Sequence, residues 1–451
     1  MKKITNTPIV TPHNDMTMSL PATVHIELTS SCCFTCRHCY NFWRKDKARP
    51  VFMSQDQLDK ILDELIKNGI LHVIFTGGEP LLNNAVLLHG IKRMKDAGAS
   101  VTCNSTLASA NTVEQLKKLR DAGLEHVLTS LNSHKPEVND YLVSIKGAHK
   151  RIIDGIRNAV SVGIRISVNM IISETNIKDI YETARLAHEL GAKKFFGTRV
   201  VPHISKNVDD QKEFRIAEKE ARYILDELIK VEKDFGMQVG TLIPFPFCMM
   251  VEKESDLKKF DRFYSHGCPS GNKMISLNAD GQAHACVHES QGYGNILEIG
   301  VKGVWENMGK WRTGEYFPEE CKTCVMFERC NGGCRLCAYA YHGRMDSADN
   351  LRKGWKFASP VHEDDSGRIK LDEIKCSVPQ NIRFRKENDF YLADRFGSEI
   401  LCVKPEIAQI LRDRQKAREP FSPAEAGLND VETVKTLLRE KLLTREGTGE
   451  N

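Results

Sequence analysis

The chain runs SQDQLDKILDELIKNGILHVIFTGGEP over residues 54–80, and this stretch contains a helix, a glycine and a strand in succession. Apolar residues recur with the period of one helical face through Leu58–Ile66, and Ser54 with Gln57 forms a capping box before them. Gly69 follows the helix, where a residue that tolerates positive φ is favoured. The apolar run after Gly69 predicts a short buried strand.

The same succession of strand, helix and glycine repeats through residues 21–245. Because strands that alternate with helices form parallel βα units, the repeat predicts an α/β fold, a partial, TIM-like (β/α)6 barrel. The chemistry of such barrels lies at the carboxyl ends of the strands. The six predicted strands are Val24–Leu28, His72–Thr76, Ser100–Cys103, His126–Ser130, Arg165–Asn169 and Lys194–Thr198.

The sequence predicts two further domains after the barrel, and a separate N-terminal segment over residues 1–20. Residues 246–378 are rich in cysteine and glycine and contain only short periodic segments. Residues 379–451 predict a small winged-helix-like ββααα domain, whose hairpin combines Phe390–Asp394 with Glu399–Val403. Its predicted helices are Pro405–Lys416, Pro423–Gly427 and Val431–Leu443.

The composition predicts a globular, cytoplasmic protein. Of the 451 residues, 41% are apolar and 27% are charged, proportions that allow a sizeable core. A net charge of +4 provides no basic stripe for nucleic acid, and no apolar run has the length of a membrane span or the pattern of a signal peptide. The 15 cysteines are concentrated in two parts of the chain, which in a reducing compartment indicates metal binding rather than disulfides.

Three cysteines with the spacing Cys32-x3-Cys36-x2-Cys39 lie in the loop that leaves the first predicted strand. Three thiolates can hold three irons of a 4Fe–4S cluster and leave the fourth iron open. An open iron can chelate the amino and carboxylate groups of a small molecule. The alternative is a structural zinc site, which needs four ligands and for which Cys33 is the fourth candidate.

The second predicted strand ends in Thr76-Gly77-Gly78-Glu79-Pro80, at the same end of the barrel as the three cysteines. Glycines allow a ligand to approach the backbone closely, and the Glu79 carboxylate can accept a hydrogen bond from a ligand ammonium group. The alternative is an ordinary turn. The position of this segment, one strand after the cysteines, favours a binding site for a small molecule.

Together the two segments resemble those of the radical S-adenosylmethionine (SAM) superfamily, in which a CxxxCxxC motif and a following aromatic residue precede a GGE motif. The resemblance implies a 4Fe–4S cluster that binds SAM through its open iron. The implied cluster ligands are Cys32, Cys36 and Cys39, and the implied SAM-binding residues are Tyr40, Gly77, Gly78, Glu79, Ser130 and Asn169. For the last two, which would contact the ribose and the carboxylate, the alternative is a capped strand end. An arginine is usual before a glycine where this chain has Lys146-Gly147.

The resemblance also implies a radical reaction. The cluster reduces the SAM sulfonium by one electron, which releases methionine and a 5′-deoxyadenosyl radical that removes a hydrogen atom from an unreactive C–H bond. Hydrogen-atom abstraction requires no acid or base. No catalytic side chain is therefore assigned, and Asp140 and Arg199 have no predicted role.

Six cysteines of the second domain are spaced like those of the SPASM domain, an extension that carries two auxiliary 4Fe–4S clusters in many peptide-modifying radical SAM enzymes. A zinc ribbon, the alternative, would use only four of them. The resemblance implies that Cys268, Cys286 and Cys334 bind the first auxiliary cluster, whereas Cys321, Cys324 and Cys330 bind the second.

Each auxiliary cluster needs one more ligand. The last cysteine of the family usually lies near the segment that reads Asp349-Asn350-Leu351 in this chain, which contains no cysteine. We predict that Cys376 completes the second cluster, with Cys337 as the alternative, and that Cys248 completes the first. The cofactors are then SAM and three oxygen-sensitive 4Fe–4S clusters. Cys103 and Cys402 are predicted to be buried apolar thiols.

The C-terminal ββααα pattern resembles the peptide-recognition elements that bind the leader segments of ribosomally made peptides. An exposed hairpin edge, predicted within Phe390–Val403, can take an extended peptide as an added strand. The alternative is an appendage that stabilises the protein or mediates dimerisation.

These features predict a peptide maturase. Its expected partners are a precursor peptide with a leader and an electron donor such as a flavodoxin or ferredoxin, without nucleic acid or membrane. The expected modification is a cross-link or a backbone rearrangement with excision. The alternatives are a sulfatase-type protein maturase, an enzyme of tetrapyrrole synthesis and a non-catalytic electron-transfer protein; the GGE segment disfavours the last.

Overall fold

A computed structural model describes residues 9–10, 18–40, 50–109, 111–203, 208–260, 263, 267–357, 370–395 and 400–446. The chain divides into two compact units. The central unit is Leu20–His362, and the terminal unit combines Met1–Ser19 with Glu363–Asn451. The predicted boundaries differ from this division, because the N-terminal segment and the strand at Cys376 both belong to the terminal unit.

Strands and helices alternate through most of the central unit. The strands of the described residues are β1 (Ile9–Val10), β2 (Thr23–Glu27), β3 (His72–Thr76), β4 (Ser100–Asn104), β5 (His126–Ser130), β6 (Arg165–Ile171), β7 (Lys194–Thr198), β8 (Gln238–Gly240), β9 (Met274–Leu277), β10 (Ala283–His284), β11 (Cys376–Ser377), β12 (Arg383–Lys386), β13 (Tyr391–Asp394), β14 (Leu401–Val403) and β15 (Thr444–Arg445). The α-helices are Gln55–Lys67, Asn84–Asp96, Val113–Asp121, Pro136–Val143, Ala148–Ser161, Ile180–Glu189, Glu218–Phe235, Phe247–Met250, Ser255–Phe260, Ile296–Asn307, Phe327–Cys330, Arg335–His342, Pro405–Ala417 and Val431–Arg439.

The central unit is built on a sheet with the strand order β10-β9-β2-β3-β4-β5-β6-β7-β8, in which every pair except β10–β9 is parallel. The six predicted strands are β2 to β7, and they lie side by side in chain order. The α/β fold with a parallel sheet is therefore confirmed. In the described part of the chain, β8 and β9 extend the six parallel strands to eight, one at each side.

The two faces of this sheet differ in polarity. Phe75 is fully buried on the helix side, where a side chain at Gly90 of the helix Asn84–Asp96 would come within 2.7 Å of its ring. On the opposite face, His72 bonds to Thr102 at 3.0 Å, and His126 bonds to Ser167 at 2.7 Å. Residues one apart in a strand point to opposite faces, so the alternation places polar groups inside the curved sheet.

The helix Gln55–Lys67 confirms the predicted capping box. Ser54 Oγ accepts from the Gln57 amide at 3.2 Å, and Gln57 Oε1 accepts from the Ser54 amide at 3.0 Å. The buried face includes Leu58 and Leu65, whereas Ile66 is 36% exposed. The apolar face is thus narrower than the sequence predicts, because Ile66 lies at its margin.

The terminal unit contains an antiparallel sheet with the order β1-β14-β13-β12. The predicted hairpin strands are therefore inner strands: β1 covers β14, and β12 covers β13. The prediction that this hairpin offers a free edge is wrong, since Ile9–Val10 and Arg383–Lys386 occupy both of its sides. Among the described residues of this unit, β1 and β12 are the outer strands of the sheet. Residues 396–399, which include the predicted strand start, lie outside the described residues.

The segment Pro423–Gly427 forms a turn and is not the predicted helix. The amide of Leu428 donates to the Pro423 carbonyl at 2.8 Å. This hydrogen bond joins residues five apart and closes a single turn. Five residues provide too few hydrogen bonds to offset helix nucleation. The predicted ββααα unit accordingly has two α-helices in its described part.

No helix in the described ranges is long and apolar enough to span a membrane.

Candidate active site and cysteine groups

The loop that carries the first three cysteines follows β2 and is held by backbone hydrogen bonds. The Cys39 amide donates to the Cys36 carbonyl at 3.2 Å, a turn that brings these two residues together. The Arg37 amide donates to the Leu142 carbonyl at 3.0 Å, which attaches the loop to the helix Pro136–Val143. The thiols of Cys32, Cys36 and Cys39 are half-buried, as reactive or metal-binding thiols commonly are.

The two glycines after β3 lie directly against this loop. The Gly78 amide donates to the Thr29 carbonyl at 2.7 Å, and the Glu79 amide donates to the Ser31 carbonyl at 2.8 Å. A Cβ on Gly78 would stand 2.1 Å from the Ser31 carbonyl oxygen, and one on Gly77 would stand 2.6 Å from that of Thr29. The close approach that these glycines permit is therefore between two loops of the chain, whereas the sequence suggested approach to a ligand.

We expect Gly78→Ala to displace the cysteine loop, because the clash is with rigid backbone rather than a flexible side chain. Overpacking of this kind costs about 1–3 kcal/mol. The measurements are the thermal unfolding temperature and the iron retained by Cys32, Cys36 and Cys39. Gly309→Ala is the matched control, since nothing lies within 4 Å of a Cβ there. Equal behaviour of the two variants would contradict this account of Gly78.

The carboxylate of Glu79 is completely buried and accepts hydrogen bonds from donors of the chain. Oε1 accepts from the Ser105 hydroxyl at 2.6 Å and the Leu81 amide at 3.1 Å. Oε2 accepts from the Thr106 amide at 2.8 Å and the Thr106 hydroxyl at 2.5 Å. Burial raises the pKa of Glu79, although these four bonds oppose the shift. Glu79 therefore positions the loop after β4 in this structure.

Cys33 interacts with Cys32 and with that same loop. Hydrogen bonding between the two sulfurs raises the pKa of Cys32 and lowers the pKa of Cys33 to about 7. The Cys33 sulfur also lies 3.6 Å from Thr106 Oγ1. The Cys33 thiol is therefore engaged within the protein beside the predicted ligands.

Tyr40 lies between the loop of Cys32, Cys36 and Cys39 and the segment that carries Cys286. Burial raises the pKa of its phenol, with further contributions from Cys39, Cys32 and Cys286, and a hydrogen bond to Thr76 opposes the shift. Its ring packs on that of His288 with centroids 5.1 Å apart. Tyr40 thus contacts the end of β3 and the segment that carries Cys286.

Ser130 and Asn169 are partners in the register of β5 and β6, so they lie side by side at the carboxyl ends of these strands. The Thr198 hydroxyl, at the end of β7, donates to Asn169 Oδ1 at 2.6 Å. One acceptor position of the Asn169 side chain is therefore engaged by the protein. The structure places both residues at the same end of the sheet as the cysteine loop and the GGE segment.

Asp140 has a structural role that the sequence did not reveal. Its carboxylate accepts from the Gly147 amide at 2.5 Å and the His149 amide at 2.7 Å, at the start of the helix Ala148–Ser161. These bonds satisfy amides that a helix N-terminus leaves unpaired.

The cysteines implied for the first auxiliary cluster interact with one another. Burial raises the pKa of Cys268 and Cys286, and the charges of neighbouring thiols add to the shift: Cys334 for Cys268, and both Cys268 and Cys334 for Cys286. Hydrogen bonding with Cys337 lowers the pKa of Cys334 to about 7. The structure therefore places Cys337 beside Cys334 of the first auxiliary group. The sequence had suggested Cys337 as an alternative ligand of the second auxiliary cluster.

A buried ion pair lies beside the first auxiliary group and contacts it at Cys334. Arg199, the residue after β7, is 3% exposed and binds Asp349 with two hydrogen bonds of 2.5 and 3.1 Å. Asp349 also accepts from the Cys334 amide at 2.9 Å. Burial opposes the charge on Arg199, but Asp349, Cys337 and Cys334 outweigh it and raise the pKa of the guanidinium. Arg199, which had no predicted role, therefore joins the barrel to the cysteine-rich segment.

The cysteines implied for the second auxiliary cluster surround a cavity of about 260 Å³. Cys321, Cys324 and Cys330 line it, and so does Cys248. The sequence assigned Cys248 to the first cluster, so its position in this cavity differs from the prediction. The Arg352 Nε–H donates to the Cys321 sulfur at 3.3 Å. This arginine was not singled out from the sequence.

Cys376, the predicted last ligand, is completely buried in the apolar core of the terminal unit. There it packs with Ile374, Val378 and Phe421, and it exchanges backbone hydrogen bonds of 2.8 and 2.9 Å with Phe421. Its surroundings are those of a buried apolar thiol. Cys103 and Cys402 are each 1% exposed, as predicted for thiols of this kind.

A family model matches part of the chain. Residues 26–187 match the model of the Radical SAM superfamily. The chain contains a radical SAM domain. This domain spans β2 to the helix Ile180–Glu189, and thus includes the cysteine loop, the GGE segment, Ser130 and Asn169.

The matches to individual proteins extend beyond the radical SAM domain and cover most of the chain. An AdoMet-dependent heme synthase of Methanosarcina barkeri is 28% identical over 338 residues, which are 72% of this chain and 93% of that protein. A PqqA peptide cyclase of Bradyrhizobium diazoefficiens is 24% identical over 358 residues, 77% of this chain and 89% of that protein. The structure of Streptococcus suis SuiB bound to its precursor peptide SuiA has a TM-score of 0.59 at 16% identity, covering 74% of this chain and 76% of SuiB. The last comparison shows a shared fold.

The radical SAM domain implies SAM and one 4Fe–4S cluster, and the residues present fit that cluster. The loop supplies three half-buried thiols, the number that leaves one iron open. In the described residues, no group of three or more His, Cys, Asp or Glu side chains is arranged to hold a single metal ion. The loop after β4, with Ser105 and Thr106, was not singled out from the sequence, although polar residues that follow a strand end are a signal for it.

Proposed function

We propose that this chain modifies a ribosomally made peptide by hydrogen-atom abstraction, with auxiliary iron–sulfur clusters beside the radical SAM domain. The observation that supports this most directly is the grouping of cysteines in the central unit. Besides the loop of Cys32, Cys36 and Cys39, two further groups lie around Cys334 and Cys321. The relationship to a peptide cyclase is consistent with a peptide substrate.

Within the radical SAM domain, Cys32, Cys36 and Cys39 would hold the catalytic cluster. When bound, this cluster and SAM supply a 5′-deoxyadenosyl radical that removes a hydrogen atom from substrate. The GGE backbone holds the cysteine loop in place, while Ser130 and Asn169 face the same end of the sheet and would contact SAM. The chain thereby orients the reacting groups, which is the protein's part in cofactor chemistry.

The auxiliary groups would carry electrons. Cys268, Cys286 and Cys334 would bind one 4Fe–4S cluster, and Cys321, Cys324 and Cys330 the other. Oxidation of a peptide radical releases an electron, and a cluster in the same unit can accept it. An external donor such as a flavodoxin or ferredoxin would supply the electron that starts each cycle.

The terminal unit would bind the leader of the precursor. Because β1 and β12 are its outer strands, we place strand addition at one of these edges instead of at the hairpin. Main-chain hydrogen bonds at a sheet edge hold an extended peptide regardless of its side chains. Binding at a remote site raises affinity without constraining the residues that react.

A second candidate function is the modification of a tetrapyrrole. The relative with 28% identity is a heme synthase, and 93% of that protein is covered by the match. About a quarter of the present chain lies outside that match, since it covers 72% of it. The two functions differ in what they predict for the terminal unit, which a tetrapyrrole enzyme would not need for substrate binding.

The test begins with a search for a short peptide gene beside the gene for this chain, and a peptide found there is the substrate to be tried. Reconstituted protein, SAM and reductant are incubated with that peptide without oxygen, and the peptide is analysed by mass spectrometry. We expect loss of two hydrogen atoms for each cross-link, or excision of a fragment, in step with 5′-deoxyadenosine. An iron coproporphyrin is offered in a parallel reaction. Its consumption together with an unchanged peptide would contradict the peptide assignment.

A chain of residues 20–357 provides the control for the terminal unit, because it retains the described part of the central unit intact. We expect its affinity for the labelled peptide to fall about 100-fold, which corresponds to about 2.7 kcal/mol. Formation of 5′-deoxyadenosine without peptide should persist. Equal peptide affinity of the two chains would remove the recognition role of the terminal unit.

A further inference from the structure

We propose that Cys248 is the fourth thiolate ligand of the second auxiliary cluster, so that this cluster has no open iron. The proposal rests on the proposed function, in which the second cysteine group binds a 4Fe–4S cluster. It replaces the ligand expected from the sequence, Cys376, with a residue more than a hundred positions earlier in the chain.

The cavity of the second group is the first observation. Cys248, Cys321, Cys324 and Cys330 all line the same space of about 260 Å³. Four cysteines around such a space match the number of thiolates that a fully coordinated 4Fe–4S cluster requires.

The position of Cys248 is fixed by contacts with the barrel. Cys248 lies in the short helix Phe247–Met250, whose neighbouring side chains Phe247 and Met249 are buried while Cys248 is half-buried. Arg222 donates to the Met249 carbonyl at 2.6 Å and to the Met250 carbonyl at 3.2 Å. The barrel thereby holds this helix with the thiol towards the cavity.

The segment that follows Asp349 supplies the third observation. The Lys353 amide donates to the Cys248 sulfur at 3.3 Å, and the neighbouring Arg352 donates to the Cys321 sulfur at 3.3 Å. This is the part of the chain where the SPASM spacing predicts a last cysteine and the sequence has none. Cys248 therefore lies against the segment that lacks the expected cysteine, and its sulfur would replace that missing thiolate.

Two hydrogen-bond donors lie against the sulfurs of this group. The Arg352 Nε–H donates to the Cys321 sulfur, and the Lys353 amide donates to the Cys248 sulfur. Donors so placed would stabilise the thiolates that a cluster requires.

Coordination by four thiolates has a consequence for function. A cluster without an open iron cannot bind substrate directly, so the role left to a second auxiliary cluster held in this way would be electron transfer. Any binding of substrate to an auxiliary cluster would then take place at the first auxiliary group, around Cys334.

The experiment uses the full chain with Cys32, Cys36 and Cys39 replaced by alanine, so that the auxiliary clusters are observed alone. After anaerobic reconstitution we expect about eight irons per chain. Adding Cys248→Ala should lower the iron content by between about one and four atoms and produce the EPR signal of a 3Fe–4S cluster in the oxidised protein. Cys321→Ala should behave in the same way. The matched control, Cys376→Ala, should retain all the iron.

Alkylation followed by peptide mass spectrometry tests the proposal without relying on the folding of a variant. In the otherwise native chain, Cys248 should be labelled before reconstitution and protected after it. Continued labelling of Cys248 in protein that holds both auxiliary clusters would overturn the proposal, as would iron loss in Cys376→Ala but not in Cys248→Ala. Failure of the parent chain to bind more than about four irons would instead contradict the auxiliary clusters of the proposed function.

Discussion

Replacing Cys32, Cys36 and Cys39 together with alanine is expected to abolish the reductive cleavage of SAM. The loop that carries them offers the three thiols that a site-differentiated 4Fe–4S cluster requires, and without them no iron is available to bind SAM. The measurement is 5′-deoxyadenosine formed with dithionite and SAM under anaerobic conditions, which should fall to the level of a reaction without protein.

The auxiliary clusters should survive this change, because their cysteines lie in other segments of the chain. Cys402→Ala is the matched control, since it removes a buried thiol of the terminal unit and should leave cleavage intact. Continued accumulation of 5′-deoxyadenosine in the triple variant would show that the loop does not bind the catalytic cluster.

Arg199→Met is expected to lower the free energy of unfolding of the central unit by about 3–5 kcal/mol. The substitution leaves the carboxylate of Asp349 buried without its counter-charge, and a buried unpaired charge is far more costly than the loss of a surface pair. Since Asp349 also accepts from the Cys334 amide, we expect weaker binding of the first auxiliary cluster as well. Urea unfolding and iron content are the measurements.

A second substitution separates lost charge from lost shape. In Arg199→Met combined with Asp349→Asn, the carboxamide is neutral and can still accept from the Cys334 amide, so most of the stability should return. Lys92→Met is the surface control, because its ion pair with Asp96 is exposed and should contribute nothing measurable. A double variant as unstable as Arg199→Met alone would contradict the buried-charge explanation.

The predicted barrel strands agree with the structure because each is a local pattern. The apolar runs from Val24 to Thr198 form β2 to β7 in chain order, and the helix Gln55–Lys67 ends just before Gly69, as predicted. The outer strands β8 and β9 were missed, because three or four residues carry too little periodicity to be recognised. The same limit explains why β12 was not predicted and why the hairpin lost its expected edge.

The roles of the site residues were less predictable than their positions. The sequence placed Gly78 and Glu79 after the second predicted strand, and in the structure their amides donate to the loop that follows β2. Only the structure shows that a Cβ on Gly78 would meet Ser31 and that Glu79 accepts hydrogen bonds from the loop of Ser105 and Thr106. Motif spacing indicates which residues converge, whereas the contacts of each atom depend on how separate loops pack together.

The sequence by itself determined the α/β class, the order of the barrel strands and the position of the three-cysteine loop, because each of these follows from short-range pattern and spacing. The tertiary structure alone decided which remote residues join each cysteine group. Cys248 lies with Cys321, although the sequence assigned it to the first auxiliary cluster. A group assembled from distant segments depends on the packing of whole elements, such as the helix that Arg222 holds and the segment that Arg199 anchors, and no local pattern contains that information.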